Sequence, residues 1–460
     1  MGKKGGRVGP WRIFWVKFRR GSSRGDDGGN LVRRRDALRV LAGLGALSLV
    51  PGAALAKKAD RKGEAKSDGK SEGKSGGREP AKLSWREGKQ LVVVLLQGGP
   101  DGLSMAAPTA DPLYAVLRPT TALTAEAGTD LGNGFRLHPA LTLLAPLYAR
   151  KQLAVIPACA MPGQGATHAA ALADFAAGAP AAQRKGKTGA AGWLGRLALA
   201  LGGERSQMVV ASQSEAYDGA PHYAMLAPGR GESLPGLPVE DQTLFDAAVK
   251  LYGQTGGSLG KAFAAGREAR QEQLAKLLEE SRRAAAGAVP APHFAEFGPR
   301  LGKELAKRRD AALGFVAVGG FDTHSGQGAA KGYLADRFRD LGQGLAGMLA
   351  GLGPAAADTV VVALGEFGRT ARENAFGGTD NGLGGVMLVL GGPVAGGRVV
   401  GPWPGLAGHR LAGGRDIAAA TDWREAVAAI AVTHLGLPEK RIPDIFPGLA
   451  PGQMLGGLMG

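Results

Sequence analysis

The chain has 460 residues, a formal charge of +16 and one cysteine, Cys159. Residues 1–56 carry twelve Lys/Arg against three Asp/Glu, and residues 57–90 carry eleven against six, so the rest of the chain is nearly neutral. That argues against DNA or RNA binding, which needs a basic face on the folded body, and a lone cysteine excludes an intramolecular disulfide.

Residues Met1 to Asn30 are basic and glycine-rich, with Trp11, Phe14 and Trp15 among them. They read as an early start or as a long charged leader. Arg33, Arg34 and Arg35 then precede a weakly apolar stretch, Val40 to Leu49, and a small-x-small site at Ala54-Leu55-Ala56. This is the pattern of a cleavable export signal. The arginine pair favours the twin-arginine translocation machinery, which carries folded proteins and suits a chain that loads a cofactor first. The apolar stretch is about half the roughly 20 residues a membrane span needs. No later segment approaches that length, so no stable span is expected after cleavage. The expected location is the periplasm or the cell exterior.

Residues 57–89 are a low-complexity Lys/Ser/Gly/Glu spacer with little to bury. Residues 90–460 are expected to form one domain. Short apolar runs punctuate it: Leu91–Leu96, Leu153–Pro157, Met208–Ala211, Gly314–Val318, Thr359–Leu364 and Val386–Leu390. Runs without polar alternation suit strands buried on both faces of a parallel sheet. Helical patterns lie between them at 139–150, 258–286, 333–352 and 421–435. The fold class predicted is α/β, a mostly parallel sheet with helices on both faces. Cys159, after a strand-like run, reads as a small buried residue.

In such sheets chemistry gathers beyond the carboxyl ends of the strands. The first run leads into a Gly-rich turn carrying Asp101, placed for a cation or as a helix cap. The second leads to Thr167 and His168 at the start of a helix, where exposed amides favour an oxyanion and a hydroxyl can equally serve as the cap. The run ending at Val318 leads to Asp322 and His324, two residues apart, a plausible pair of zinc-type ligands. The next leads to Glu366 and Arg369, which either pair with each other or leave the guanidinium as a fork for phosphate or sulfate. Asp380 and Asn381 follow on a second Gly-rich loop. Of the other histidines, His138 precedes Pro139 at a helix start, His293 is expected in a Pro-rich loop, and His434 reads as structural. His222 and His409 are expected in loops.

Together these stretches resemble a twin-arginine-exported bacterial family, domain of unknown function 1501, over about Leu91 to Pro447. The segments Leu137 to Leu141 and Arg398 to Leu406 add to the likeness. That family in turn resembles the alkaline phosphatase and sulfatase superfamily. The resemblance implies a three-layer α/β sandwich holding two metal ions that polarise a phosphate or sulfate ester, with an alcohol nucleophile between them. By the same resemblance, Asp101 matches the first acidic ligand and Thr167 falls near the nucleophile. Asp322 and His324 match an Asp/His ligand pair. Asp380 matches the acid of an Asp-His-Gly motif, in which Asn381 replaces the histidine. An amide oxygen suits harder cations than zinc, so the divalent metal expected is Zn, Ca or Mg. The implied activity is hydrolysis of an anionic ester, with Thr167 attacking and His168 or Arg369 orienting the anionic oxygens. A non-catalytic binding or assembly protein on the same fold is the alternative.

Overall fold

The computed structural model describes residues 85–184, 191–202, 207–221, 223–226, 249–252 and 257–460. The arginine motif, the apolar stretch, the spacer up to residue 84 and His222 lie outside them.

All six apolar runs form strands. In chain order the strands are β1 Gln90–Leu96, β2 Ala106–Ala107, β3 Thr129–Gly132, β4 Phe135–Leu137, β5 Leu153–Ala160, β6 Gln207–Val210, β7 Tyr223–Met225, β8 Val289–Pro290, β9 Ala311–Gly319, β10 Thr359–Gly365, β11 Gly385–Gly391, β12 Arg398–Val399 and β13 Thr421–Asp422. The main sheet runs β12-β5-β11-β10-β1-β9-β6-β7, with β13 also on β5 and β8 also on β9. Every pairing in it is parallel except the two that β11 makes, with β10 and β5. The strands β2, β4 and β3 form a small separate sheet.

The apolar runs are continuous because both sheet faces are covered. Along β1, Leu91, Val93 and Leu95 enter one core with Trp193, Trp423 and Phe446. Val92, Val94 and Leu96 enter the other with Phe294, Phe338 and Leu345. The main helices are α1 Gly102–Met105, α2 His168–Ala177, α3 Trp193–Gly202, α4 Gly257–Ala284, α5 Ala291–Lys307, α6 Tyr333–Leu352 and α7 Trp423–Thr433. The first core takes α3 and α7, and the second takes α5 and α6. The layers are helix, sheet and helix, as the sequence predicts.

Three local expectations change. Residues 139–150 form two short pieces, a 3-10 turn Pro139–Leu144 and a helix Ala145–Ala149, with Leu141 leaving helical geometry. His293 lies in α5 rather than in a loop, because Pro292 falls in the first turn, where a missing N–H costs nothing. His409 sits in a 3-10 turn, Gly408–Arg410. The body's contacts also begin before residue 90. Trp85 packs on the first core, and Arg86 Nη1 donates to the Thr433 carbonyl at 2.7 Å.

This topology positions the site. The carboxyl ends of β1, β5, β9 and β10 share one edge of the sheet. Since β11 runs the other way, its amino end arrives at that same edge, bringing the loop with Asp380 and Asn381.

Candidate functional site

The edge is built around two glycines and an arginine. Gly98 has φ +105°, and a Cβ there would lie 2.4 Å from the Asp322 nitrogen. Only glycine permits that approach and that backbone shape. Arg369 lies buried beneath the loops. Its Nε donates to the Gly99 carbonyl at 2.6 Å and Nη1 to that of Thr379 at 2.9 Å. Its Nη2 donates to Gly98 and Phe321 carbonyls and, at 2.7 Å, to Asp322 Oδ1. One guanidinium therefore ties the loops after β1, β9 and β10 to the loop before β11.

Asp322 is the hub above it. Its Oδ1 lies 3.1 Å from His324 Nε2 and 3.5 Å from His168 Nε2. Both contacts are within ionic reach, and by geometry neither nitrogen has a hydrogen-bond partner among the described residues. Each ring is fixed from its other side. His168 Nδ1 lies 2.8 Å from Glu366 Oε1, which also accepts from the Gly98 N–H at 2.8 Å. His324 Nδ1 lies 3.2 Å from Asp380 Oδ1, and Asn374 Nδ2 donates to that same oxygen at 3.0 Å. A ring held by a carboxylate on one nitrogen, with the other turned toward a shared acid, Asp322, is oriented in the way a metal-ligating imidazole is.

The electrostatics follow from the contacts. Burial opposes charge on Asp322, but His168, His324 and Arg369 outweigh it and hold the carboxyl well below its ordinary range. Burial also opposes charge on His168, yet Asp322 and Glu366 raise it to about 9. His324 is raised against burial by Asp322 and Asp380. Asp380 is lowered by its bond to His324, partly offset by burial. The surrounding acids therefore favour positive charge at the two rings, as protons or as a cation in their place.

A third ligand-type group comes from α4. One atom each from His168, Glu280 and His324 lie within 4.8 Å of one another. Two imidazoles and a carboxylate are a donor set that fits zinc. A groove of about 590 Å³ opens beside them, lined by Thr167, His168, Lys276, Glu279, Glu280 and Arg283.

The structure brings together His168, Asp322, His324 and Asp380 from the residues predicted. Others take different work. Asp101 is completely buried, and its carboxylate is saturated by both terminal nitrogens of Arg118, Ser104 Oγ and Gln327 Nε2 at 2.7 Å, and the Leu103 N–H. Those donors outweigh burial and lower its pKa. The expected ligand is a buried ion pair and the cap of α1. Arg369 is no open fork for substrate, because its nitrogens already hold four carbonyls and Asp322. Nor does it pair with Glu366, which holds His168 instead. Thr167 is exposed, and its hydroxyl accepts from the Ala170 N–H at 3.3 Å, so it caps α2. Asn381 presents its backbone carbonyl to Arg415, while its Oδ1 is buried without a partner among the described residues.

Sequence reasoning missed Glu280, Arg118 and Gln327. Glu280 is one of several acids on a helix with a solvated charge pattern, and nothing in its neighbours marks it. Gln327 accepts from Thr323 and Thr379 while donating to Asp101, linking the buried pair to the site loops. The readings of Cys159 and His434 hold. Cys159 is buried, and burial pushes its thiol pKa up. His434 Nε2 lies 3.0 Å from the Asp358 carbonyl and 3.2 Å from that of Gln90.

A family described as protein of unknown function, DUF1501, matches residues 88–445. The chain belongs to the DUF1501 family. No curated protein matches this member. Solved structures with some likeness include a protein in the alkaline phosphatase superfamily from Vibrio parahaemolyticus, at 10% identity and TM-score 0.30, covering 68% of this chain and 64% of that one. Another is the C-terminal periplasmic domain of EcEptC from Escherichia coli in complex with Zn, at 9% identity and TM-score 0.33, covering 66% and 73%. A third is the lipoteichoic acid synthase LtaP from Listeria monocytogenes, at 10% identity and TM-score 0.32, covering 66% and 65%. This DUF1501 chain spans less than two thirds of the first and third of these. Among its described residues no helix is long and apolar enough to cross a membrane.

Proposed function

We propose that this chain is an exported hydrolase of phosphate or sulfate esters that works with one divalent cation held by His168, His324 and Glu280. The observation that carries this reading is the convergence within 4.8 Å of one carboxylate oxygen of Glu280 and one ring nitrogen each of His168 and His324. A bound divalent ion would supply Lewis-acid polarisation of an ester oxygen. The chain's own residues prepare the place. Glu366 and Asp380 orient the two rings, and Arg369 fixes Asp322 beneath them. Zinc suits the two-imidazole set better than calcium or magnesium.

The test uses purified protein. Calorimetric titration should find about one zinc ion per chain, lost in His168→Ala/His324→Ala, and zinc-loaded protein should cleave p-nitrophenyl phosphate or p-nitrophenyl sulfate. Absence of both binding and turnover sinks the proposal.

A second reading has its own support. Asp101 and Arg369 are consumed by internal bonds, and the Thr167 hydroxyl serves as a cap. A site whose expected acidic ligand, arginine and hydroxyl are all engaged in internal bonds fits a non-catalytic binding or assembly protein. Zinc binding with no turnover of either ester would select it.

Export through the twin-arginine machinery belongs to the same proposal, resting on Arg33 to Arg35 and the site at Ala54 to Ala56. Arg33→Lys/Arg34→Lys/Arg35→Lys should retain the protein in the cytoplasm. Equal export of that variant would remove this part.

A further inference from the structure

The groove beside the two histidines carries more acid than base. Besides His168, its ionic lining is three glutamates, Glu272, Glu279 and Glu280, and two bases, Lys276 and Arg283. Both bases are already engaged. Lys276 Nζ lies 2.8 Å from Glu272 Oε1, and Arg283 Nε lies 3.0 Å from Glu279 Oε1, each one helical turn apart. The lining therefore offers two neutralised pairs and one surplus carboxylate, that of Glu280.

The charges behind the rings run the same way. Glu366 and Asp380 hold the far nitrogens of His168 and His324, and Asp322 lies against the near ones. Among the described residues, the base that touches these three acids is Arg369, and it reaches Asp322. Asp322 and Glu366 are buried, so their charges act over several ångströms with little screening. A divalent ion held by two neutral rings and the Glu280 carboxylate would leave one positive charge to meet a substrate. Glu366 and Asp380, behind the rings, reduce even that.

We infer that the site selects esters with one negative charge, phosphate diesters or sulfate monoesters, over phosphate monoesters, which carry nearly two at neutral pH. This rests on the hydrolase reading of the His168, His324 and Glu280 site. The selection is repulsive in origin. The second charge of a phosphate monoester meets the groove glutamates and the acids behind the rings, while Lys276 and Arg283 are held by Glu272 and Glu279. A singly charged ester matches the one positive charge left over and meets no such excess.

The experiment uses the zinc-loaded full chain at about pH 8, where a phosphate monoester holds both charges. Calorimetry compares phenylphosphonate, a dianion, with its methyl ester, a monoanion. Kinetics compares p-nitrophenyl phosphate with methyl p-nitrophenyl phosphate and p-nitrophenyl sulfate, and whichever monoanion is cleaved tells a diester from a sulfate substrate. The monoanion should bind more tightly, and kcat/KM for one of the two monoanionic esters should exceed that for the monoester by about tenfold or more. Glu272→Gln/Glu279→Gln releases Lys276 and Arg283 and should narrow both preferences by about tenfold. Equal or better binding or turnover of the doubly charged compounds, or preferences that the double variant leaves unchanged, overturn this inference and leave the hydrolase reading standing. No turnover of any of the three esters overturns both.

Discussion

Arg369 Nη2 and Asp322 Oδ1 are 2.7 Å apart, with side-chain exposures of 0% and 3%. The arginine holds the acid from below while the two histidines approach it from above. Removing one member of such a buried pair leaves an uncompensated charge and costs about 3–5 kcal/mol.

Arg369→Lys should therefore be severe although it keeps the charge. An ammonium cannot reproduce the planar fork that reaches Gly99, Thr379 and Asp322 together. Denaturant titration should show a loss near about 3 kcal/mol. A loss under about 1 kcal/mol, in the range of an exposed pair, would mean that the arginine is not the strut of these loops.

Asp101 and Arg118 form a second buried pair with a different role. Asp101→Asn should destabilise by about 3–5 kcal/mol, because Arg118 would lose its countercharge and one of its two acceptor oxygens, facing an amide N–H donor instead. It should leave the zinc affinity of the folded protein unchanged. Lost zinc affinity without lost stability would return Asp101 to the ligand set.

Gly98→Ala tests the crowding at the centre of the edge. The added methyl would meet the Asp322 nitrogen at 2.4 Å and the Phe321 carbonyl carbon at 2.9 Å, on a backbone at φ +105°. Overpacking and strain together should cost at least about 2 kcal/mol and loosen the histidine pair. Stability and zinc affinity equal to those of the unaltered chain would show that the loop can move aside.

The strand pattern was legible in the residues because a strand covered on both faces has no polar positions to interrupt it, as in Val92, Val93 and Val94. The carboxyl edge was legible too, since Gly-rich turns with acids follow three such runs. The division of labour among the acids was not. Asp101 and Asp322 both follow glycines at a strand end. Which one keeps an oxygen near the histidines depends on Arg118 and Arg369, brought in by folding. Glu366 looked like a partner for Arg369 by spacing, but the turn sends one side chain under the loops and the other toward His168. Glu280 carries no local mark at all, because its role depends on where α4 ends against β9.

His138 sets a pH dependence away from the site. Its Nδ1 accepts from the Ala140 N–H at 3.0 Å, and its Nε2 lies 3.0 Å from the Ala329 carbonyl, so the folded state uses the neutral ring. Burial lowers its pKa from the ordinary 6.5, against the pull of Ala329 and Asp101. His434 is lowered in the same way. A depressed histidine leaves stability intact above about 6.5, and stability is lost as pH falls from there toward the folded value, because the unfolded chain takes up the proton first. His138→Asn keeps a capping acceptor without the titration, so it should flatten the pH dependence of denaturant stability below about pH 6.5. An unchanged slope would exclude His138 as its source.

Thr167 separates the two functional readings most directly. Its hydroxyl accepts from the Ala170 N–H at the start of α2, and the side chain lies exposed on the groove wall. If it acts only as a cap, Thr167→Ala should cost about 1 kcal/mol and Thr167→Asn should restore it, since an amide oxygen caps as well as a hydroxyl. Neither change should then alter ester turnover per folded molecule, because His168, the first residue of α2, keeps its place against Glu366 and Asp322. If Thr167 attacks the ester, both variants lose turnover whatever their stability, since neither retains a hydroxyl. Comparing Thr167→Asn with Thr167→Ser on the zinc-loaded chain therefore distinguishes a helix cap from a nucleophile by chemistry alone, with the helix equally capped in each.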